Sequence, residues 1–288
     1  MKIHFIVNPR SGKAQRALPE VRAFAARQGA EVALTERSRH ASELAQRAID
    51  TGCELIVAVG GDGTMNEIAS ALVGSPATLG LIPCGSGDGL GRHLGIHGSV
   101  ARALDILNTG TPRVIDSGLA DGHPFFTVAG LGFEVEISTR FNQLTERGFR
   151  RYLITSARAW REYLPQPCTI ECEGQREELT VFTLAVGNSD QYGNGAFIAP
   201  GARVDDGLLN LTVVPPVGWL SALPMLYRLF SGTLGPRGGV WQRRAAQFVV
   251  TRPTAGMIHT DGETHLAGMR VEFSIRPQSL RIMAPAVT

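Results

Sequence analysis

A glycine-rich segment between a strand-like run and a helix-like run carries the clearest chemical signal of the chain. The apolar residues 55–59 lead into Gly60, Gly61, Asp62 and Gly63, and an apolar-periodic stretch follows. Glycines let a backbone turn sharply and approach an anion closely, and the first amides of a helix attract phosphate. Asp62 would repel bare phosphate, so a carboxylate here indicates Mg²⁺ between it and the phosphate oxygens. The segment therefore predicts a phosphate site, whereas a plain strand–turn–helix has no need of the aspartate.

The start of the helix after this segment is predicted from a second spacing. Thr64 and Glu67 stand three residues apart, which is the Ser/Thr-x-x-Glu spacing of a capping box. We therefore predict that the helix begins at Thr64 and that its first amides face the glycine loop.

Two more polar loops follow strand-like runs in the first third of the chain. Residues 8–13, Asn-Pro-Arg-Ser-Gly-Lys, come after strand 3–7, and residues 84–89, Cys-Gly-Ser-Gly-Asp-Gly, come after strand 79–83. Ligands of open α/β sheets bind beyond the carboxyl ends of the strands, so the three loops are predicted to meet at one nucleotide-sized site. Neither GxxxxGK[ST] nor GxGxxG occurs in these loops.

Length and composition bound the class of protein. A chain of 288 residues is long enough for two cores, and a net charge of +2 gives little support to nucleic-acid binding. Residues 1–7 are too short an apolar run for a signal peptide. The most membrane-like stretch, 217–235, contains Pro224 and Arg228 and falls short of a spanning segment. The four cysteines form no CxxC pair, which indicates buried, reduced thiols in a cytoplasmic protein.

The first part of the chain, residues 1–112, is predicted to be an α/β domain with a parallel sheet, because short apolar strands alternate with helices. The predicted elements are strand 3–7, helix 14–28, strand 31–34, helix 41–50, strand 55–60, the helix after Thr64, strand 78–83 and helix 100–107. Residues 109–112, Thr-Gly-Thr-Pro, are predicted to be a linker.

The second part, residues 113–288, is predicted to be a β-rich antiparallel sandwich. The predicted strands are 114–119, 125–129, 169–172, 179–186, 208–214, 247–251, 271–275 and 280–283, with a helical insert at about 140–163. Whether the last strand, near 280–288, returns to the first domain is left open.

These motifs together carry a family resemblance. Gly60–Thr64 with Asn66 and Glu67 resembles the nucleotide loop of the diacylglycerol kinase catalytic domain, in a superfamily that includes NAD kinases and 6-phosphofructokinases. The opening Asn8-Pro9-x-Ser11-Gly12 resembles the lipid-kinase branch, and Pro83–Gly87 is similar to a loop of sphingosine and ceramide kinases. Residues 199–209 and 261–263 also resemble bacterial lipid kinases. Asp88 departs from the Gly-Thr-Ala-Asn-Asp that many bacterial diacylglycerol kinases carry there.

The resemblance implies an ATP- and Mg²⁺-dependent enzyme with its active site in the cleft between the two domains. The residues that it and the loop chemistry assign to ATP are Asn8, Ser11, Thr35, Gly60, Gly61, Asp62, Gly63, Thr64, Asn66, Glu67, Gly85 and Ser86.

The same resemblance implies roles in catalysis and in binding of the acceptor. Glu263 would accept the proton of the lipid hydroxyl, with Asp261 nearby and Asp62 acting through the cation. Glu134 and Asp88 would lie near the lipid head group. The residues that match the Lys-x-x-Asp-x-Leu pattern of a second, distant Mg²⁺ site are Arg203, Asp206 and Leu208.

Other interpretations of these residues stay open. His259, Asp261, Glu263 and His265 alternate, so a straight strand would place them on one face like a metal site, although Gly262 is predicted to break that strand into a turn. Residues 205–207, Asp-Asp-Gly, are also typical of a tight turn. Cys84 beside the glycines is either a reactive thiol or a small buried side chain.

The predicted activity is transfer of the γ-phosphate of ATP to a lipid hydroxyl, with diacylglycerol as the leading acceptor and phosphatidic acid as the product. A sphingoid base, ceramide or phosphatidylglycerol is the alternative acceptor. A nucleotide- and lipid-binding regulator without catalysis and an NAD kinase are the rival functions. The insert 140–163 combines aromatic residues with arginines, which fits either a peripheral membrane contact or a helix packed on the sheet. The stretch 217–235 is either lipid-facing or core, and a homodimer stays an open alternative.

Overall fold

The structure is a computed structural model that describes residues 1–142, 158–236 and 239–286. Strands and helices alternate in its first part. The elements are β1 (Ile3–Val7), α1 (Ala14–Arg27), β2 (Glu31–Leu34), α2 (His40–Asp50), β3 (Leu55–Gly60), α3 (Asp62–Leu72), β4 (Thr78–Pro83), α4 (Gly89–His93) and α5 (Val100–Thr109).

The second part consists mainly of strands. They are β5 (Thr111–Ala120), β6 (His123–Phe125), β7 (Val128–Gly132), β8 (Gln166–Cys172), β9 (Gln175–Val181), β10 (Thr183–Gly187), β11 (Leu209–Val214), β12 (Trp241–Ala245), β13 (Gln247–Thr251), β14 (Gly256–Thr260), β15 (Glu263–Ala267) and β16 (Arg270–Ala284). The helices among them are α6 (Phe133–Asn142) and α7 (Trp219–Ser231), and residues 158–162 are also helical.

The strands β2, β1, β3 and β4 pair in parallel, in that order. Every residue of β3 is buried, as expected for a continuous apolar run that is covered by helices on both faces. Amphipathic α1 turns Ala17, Val21 and Phe24 toward this sheet. The parallel order brings the carboxyl ends of all four strands to one edge, where the polar loops emerge.

The remaining strands form an antiparallel sandwich. A six-stranded sheet has the order β12-β11-β10-β7-β14-β15, and it packs against the β16-β13-β8-β9 end of the larger sheet. Side chains from both sheets, among them Leu184, Phe248, Ile258 and Phe273, share one core. The predicted fold class, a parallel α/β part followed by a β-rich sandwich, is confirmed.

The last strand joins the two parts. β16 pairs antiparallel with β13 and β5, and beyond a register shift between Arg276 and Leu280 it pairs parallel with β4 through Arg281 and Ile282. The carboxyl-terminal strand therefore lies beside the first four strands in the ten-stranded sheet, while the boundary at residue 112 stays a prediction.

Several predicted boundaries are wrong. The linker at 109–112 does not exist, because α5 ends at Thr109 and β5 begins at Thr111, where it pairs with Ala284. The predicted strand 125–129 spans the end of β6 and the start of β7, and the predicted strand 179–186 is two strands that are separated at Phe182. β12, β14 and β15 were not predicted. Most of the predicted insert 140–163 lies outside the described residues.

None of the helices in the described residues is long and apolar enough to cross a membrane. All four cysteines are free, and Cys53, Cys84 and Cys168 are buried, as predicted.

Candidate active site

Three loops at the carboxyl edge of the parallel sheet meet at van der Waals distance. The amide of Lys13 in the first loop donates to the carbonyl of Cys84 in the third (2.9 Å). A Cβ on Gly85 would lie 2.8 Å from Cα of Gly61 in the middle loop, and one on Gly61 would lie 3.0 Å from Ser11 Oγ. The glycines at these positions are therefore needed for the loops to touch, and the sequence correctly predicted that the loops converge.

Gly12 shows the same constraint at the first loop. Its φ is +48°, and a Cβ there would lie 2.0 Å from the carbonyl oxygen of Cys84. Residues other than glycine rarely adopt this backbone conformation, so Gly12 determines how the first loop passes over the third.

The Asp62 carboxylate organises the third loop. Its Oδ2 accepts the amide of Asp88 (3.0 Å) and its Oδ1 accepts the amide of Gly89 (3.0 Å). A Cβ on Gly87 would lie 2.6 Å from Asp62 Oδ2. Burial raises the pKa of Asp62, and these amides partly offset that rise. The carboxylate is thus held in place between the second and third loops.

Asp88 is the second carboxylate of this region. Desolvation, followed by the charge of Asp62, raises its pKa to about 6. Its φ is +50°, and it precedes α4. Because the charge of Asp62 raises the proton affinity of Asp88, this pair of acidic residues is a favourable environment for a divalent cation.

Asp62 and Asp88 fit Mg²⁺ in a particular way. Mg²⁺ in kinases is held by one or two carboxylates together with substrate phosphates and waters, and no group of three or more His, Cys, Asp or Glu side chains in the described residues could hold a metal alone. This donor set therefore suits a cation that arrives with phosphate.

The helix after the glycines starts earlier than predicted. α3 begins at Asp62 with Gly61 as its N-cap, and no side chain caps it. Thr64 Oγ1 instead accepts a hydrogen bond from Asn8 Nδ2 (3.0 Å), which ties the helix to the first loop. The capping-box prediction is wrong, but the first amides of α3 still lie at the glycine loop, as the phosphate interpretation requires.

Glu67 is turned to a different helix. Its Oε1 accepts the amide of Arg39 (3.2 Å) and its Oε2 accepts the amide of Ala41 (3.1 Å). The side chain therefore caps the first turn of α2, and its carboxylate is not directed at the glycine loop. Thr35 is buried directly after β2, where its amide donates to the carbonyl of Val7, and Ser86 is exposed in the third loop.

Asn66 joins the glycine loop to the second part of the chain. Its Nδ2 donates to Asp261 Oδ2 (2.8 Å). Asp261 also accepts the amides of Phe126 (2.8 Å), Thr127 (2.9 Å) and Val128 (3.2 Å), as well as the hydroxyl of Thr127. Asp261 lies in the tight turn between β14 and β15 at a φ of +49°, so Gly262 breaks the strand as predicted. The carboxylate fixes this turn against α3 and the segment before β7.

Glu263 is the first residue of β15, two positions after Asp261. The residue is exposed, and its carboxylate forms no hydrogen bond with the described residues. Desolvation, followed by the charge of Glu67, raises the pKa of its carboxyl group, and Asp261 adds to the rise. A carboxylate whose proton affinity is raised above its usual range is better suited to accept a proton near neutral pH.

Glu134, predicted to contact a lipid head group, has protein partners. Its Oε1 lies 3.0 Å from His259 Nε2, and its Oε2 accepts the hydroxyl of Tyr192. The amide of Gly262 donates to His259 Nδ1 (3.4 Å), which leaves Nε2 protonated toward Glu134. Sequence reasoning did not assign Tyr192 or Thr127 to this region, because neither belongs to a motif.

The four alternating residues that suggest a metal have separate roles. His259 Nε2 contacts Glu134, and Asp261 accepts hydrogen bonds from backbone amides. His265 Nε2 lies 2.8 Å from the hydroxyl of Thr260. Cys84 is buried, and desolvation raises its pKa to about 11, so the thiol stays protonated and unreactive at neutral pH.

The predicted distant cation site is a tight loop before β11. Asp206 Oδ1 accepts the amide of Leu208 (3.1 Å), and its Oδ2 accepts Arg244 Nη2. Arg203 pairs with Asp205 (3.2 Å). The structure therefore gives the Asp206 carboxylate an arginine partner, and the Mg²⁺ assignment there stays a prediction.

Comparison with known proteins identifies the class that this fold and site define. Residues 2–120 match the diacylglycerol kinase catalytic domain, and residues 127–284 match the YegS C-terminal NAD kinase beta sandwich-like domain. The chain belongs to this family of lipid kinases.

Individual relatives agree with the assignment. The chain is 33% identical to the Probable lipid kinase YegS-like protein of Pseudomonas fluorescens over 88% of its length and 85% of that protein. It is 32% identical to the Probable lipid kinase YegS-like protein of Pseudomonas aeruginosa strain UCBPP-PA14 over 93% of its length and 90% of that protein.

Solved structures share the fold. A diacylglycerol kinase from Bacillus anthracis superimposes with a TM-score of 0.75 at 20% identity over 98% of this chain and 96% of that chain. An NAD kinase from Archaeoglobus fulgidus in complex with ATP gives a TM-score of 0.56 at 13% identity over 98% and 93% of the two chains.

Proposed function

We propose that this protein is an ATP-dependent lipid kinase that phosphorylates a lipid hydroxyl, with diacylglycerol as the leading acceptor and phosphatidic acid as the product. The observation that carries the proposal is the 2.8 Å hydrogen bond between Asn66 and Asp261. It fixes the turn that bears Glu263 against the helix that begins at the glycine loop. This contact supports a site in which a phosphate-binding loop and a proton acceptor face one cleft.

The nucleotide is assigned to the three-loop edge. Backbone amides at the start of α3 and in the loops of residues 8–13 and 84–89 cradle the phosphates. Thr35, Ser11 and Ser86 border the same edge. Asp62 and Asp88, together with the phosphate oxygens, would hold Mg²⁺, which when bound would neutralise charge on the transferred group.

Glu263 accepts the proton of the attacking hydroxyl. Its raised pKa favours this role, and a positioned base typically contributes about 10²–10⁴-fold to the rate. Asp261 is occupied by four groups of the segment 126–128 and by Asn66, so it acts by positioning the turn. Glu134, with His259 and Tyr192, supports the neighbouring strand.

We assign the apolar tail of the acceptor to a cavity beside the same strands. A cavity of about 170 Å³ lies between α6 and the sheet, and its lining combines apolar residues such as Leu131, Val135, Val181 and Met257 with the polar residues Glu136, Gln166 and Arg252. The apolar part of this lining is compatible with an acceptor that carries a hydrocarbon chain.

The proposal is tested by transfer of the labelled γ-phosphate from ATP to a lipid. The purified protein is incubated with Mg²⁺, γ-labelled ATP and mixed micelles that each contain one acceptor: diacylglycerol, ceramide, a sphingoid base or phosphatidylglycerol. We expect label in the diacylglycerol fraction, and about 10²–10⁴-fold less of it per unit time with Glu263→Gln. Label in another lipid alone would change the acceptor, and ATP binding without label in any lipid would favour the regulator.

A further inference from the structure

Helix α7 (Trp219–Ser231) is apolar on two opposite sides. Met225 and Leu229 are partly buried and pack on a core that contains Phe182 and Ile198. The other side is a stripe at spacings of three, four and three residues. Its members are Leu220, Leu223, Tyr227 and Phe230, with 70%, 72%, 74% and 57% of their surface exposed.

Such a helix is unusual for a surface facing water. A surface helix normally presents polar residues on the side opposite to the core, and one that is apolar all round has a partner on each side. The inner side has its partner in the protein. The outer stripe, which we call the α7 face, has none among the described residues.

The charge of the surrounding chain indicates which kind of surface the α7 face binds. Residues 207–260 contain five arginines and no aspartate, glutamate or lysine; of these, Arg244 is paired with Asp206 and Arg252 is buried. Arg228 lies on α7 itself, and Arg243 on the following strand is stacked over Trp241. An apolar stripe in a segment with only positive formal charge is complementary to an anionic lipid surface.

The size of the α7 face argues against a second copy of the chain as the partner. Thirteen helical residues span about 20 Å, and at a width of about 10 Å the face covers on the order of 200 Å². A stable dimer buries about 800 Å² on each partner. The same length is well short of the roughly 30 Å hydrocarbon core of a bilayer, so this helix suits the plane of the membrane interface.

The α7 face is also linked to the candidate active site. The amide of Phe197 donates to the carbonyl of Leu229 on α7 (2.9 Å). In the same loop, a Cβ on Gly193 would lie 2.6 Å from the carbonyl oxygen of Gly87 in the third nucleotide loop. One short loop therefore separates α7 from the third loop, whose amides hydrogen-bond the Asp62 carboxylate.

We infer that the α7 face docks this protein on anionic membranes, with the helix lying in the interface beside the cleft. The inference rests on the proposed function, since docking brings the cleft to an acceptor that resides in the bilayer.

The test uses the full chain without ATP. Co-sedimentation is measured with vesicles of phosphatidylcholine alone and of phosphatidylcholine mixed with phosphatidylglycerol. We expect the wild type to bind the mixed vesicles more tightly, and the double variant Leu223→Ser, Tyr227→Ser to bind them at least about tenfold more weakly, since two exposed apolar side chains lose their burial in lipid. Met269→Ser is the matched control, because Met269 is an exposed apolar residue that follows β15 at the other edge of the six-stranded sheet.

Several results would overturn the inference. They are absence of vesicle binding by the wild type, equal binding by the double variant, or sedimentation velocity that shows a lipid-free dimer which the double variant dissociates. An equal loss with Met269→Ser would also overturn it. Equal Tm values for wild type and variants exclude unfolding as the cause.

Failure of the proposed function is separable from failure of docking. With a water-soluble short-chain diacylglycerol, the double variant is expected to keep the wild-type rate and to lose rate only on vesicles. If the wild type phosphorylates no lipid while the double variant still loses vesicle binding, the docking inference stands and the kinase proposal fails.

Discussion

The Asp261 carboxylate is expected to contribute several kcal/mol to the free energy of unfolding, and the substitution Asp261→Asn measures this contribution. Asp261 and Gly262 form the turn between β14 and β15 with φ values of +49° and +88°. Asparagine tolerates the left-handed conformation as well as aspartate does. The substitution therefore keeps the turn and removes only the charge and the acceptor capacity.

The magnitude follows from the hydrogen bonds. If the asparagine oxygen stays on Thr127 and Val128, its NH₂ group faces the donors of Asn66 and Phe126, so two hydrogen bonds are lost. Hydrogen bonds to charged groups contribute about 1.5–3 kcal/mol each. Because Asp261 is half-buried, we take the lower value and expect a loss of about 3 kcal/mol, or roughly 6–12 °C in Tm.

The chain offers a matched control for this experiment. Asp121 and Gly122 form a second Asp-Gly turn, between β5 and β6, with φ values of +49° and +84°, and Asp121 is exposed. In calorimetric scans, Asp121→Asn should change Tm by no more than about 2 °C, since surface substitutions usually stay within about 0.5 kcal/mol. Equal effects of the two substitutions would refute the assignment of Asp261 as the anchor of the turn.

Three further variants test individual side chains. Glu263→Gln should lower turnover by about 10²–10⁴-fold and leave ATP affinity within a factor of two or so; an unchanged rate in the labelled-ATP assay would remove Glu263 as the base. The pKa of Asp88 is raised from 3.8 to about 6, so the folded state binds more protons between these values and its stability falls as the pH rises through them. Asp88→Asn removes that penalty and should raise Tm by at least about 2 °C at neutral pH, with the gain shrinking toward pH 4; a gain that does not depend on pH would contradict the assignment. Glu67→Ala should destabilise the protein by about 1 kcal/mol through loss of the α2 cap while ATP binding is retained, and a large loss of affinity in calorimetry would return Glu67 to the nucleotide site.

The first part of the fold was predictable because its signals are local. The apolar run 55–59, the glycines after it and the helix periodicity that follows define one strand–loop–helix unit without reference to the rest of the chain. Parallel pairing then brings the loops of residues 8–13 and 84–89 to the same edge. The glycine contacts between Gly61 and Gly85 bear out that inference.

The side-chain partners were not predictable, since they lie far away in sequence. Asn66 looks like a nucleotide-loop residue, and its partner is 195 positions away. Glu67 has the spacing of a capping box for its own helix, yet it caps α2. In both cases a local pattern was compatible with two partners, and only the packing of α3 decided between them.

The missed strands have weak patterns for a physical reason. β12 reads Trp-Gln-Arg-Arg-Ala and pairs only with β11 at the edge of its sheet, so charged residues are tolerated on it. β14 and β15 form a hairpin around Asp261 and Gly262, and the alternating His, Asp and Glu side chains there suggest a ligand set before they suggest strands. The linker predicted at 109–112 does not form, because only Gly110 separates α5 from β5 and Thr111 already pairs with Ala284.

The central claim, that the glycine loop holds the phosphates of ATP, is tested most directly by adding one methyl group. A Cβ on Gly63 meets no atom within 4 Å, and Gly63 lies in α3, so Gly63→Ala should keep or raise Tm. Gly218, which precedes α7, is equally open and serves as the control. In calorimetric titration with ATP and Mg²⁺, Gly63→Ala should bind at least about tenfold more weakly than the wild type, while Gly218→Ala binds normally. Normal binding by Gly63→Ala, or no binding by the wild type, would contradict the account.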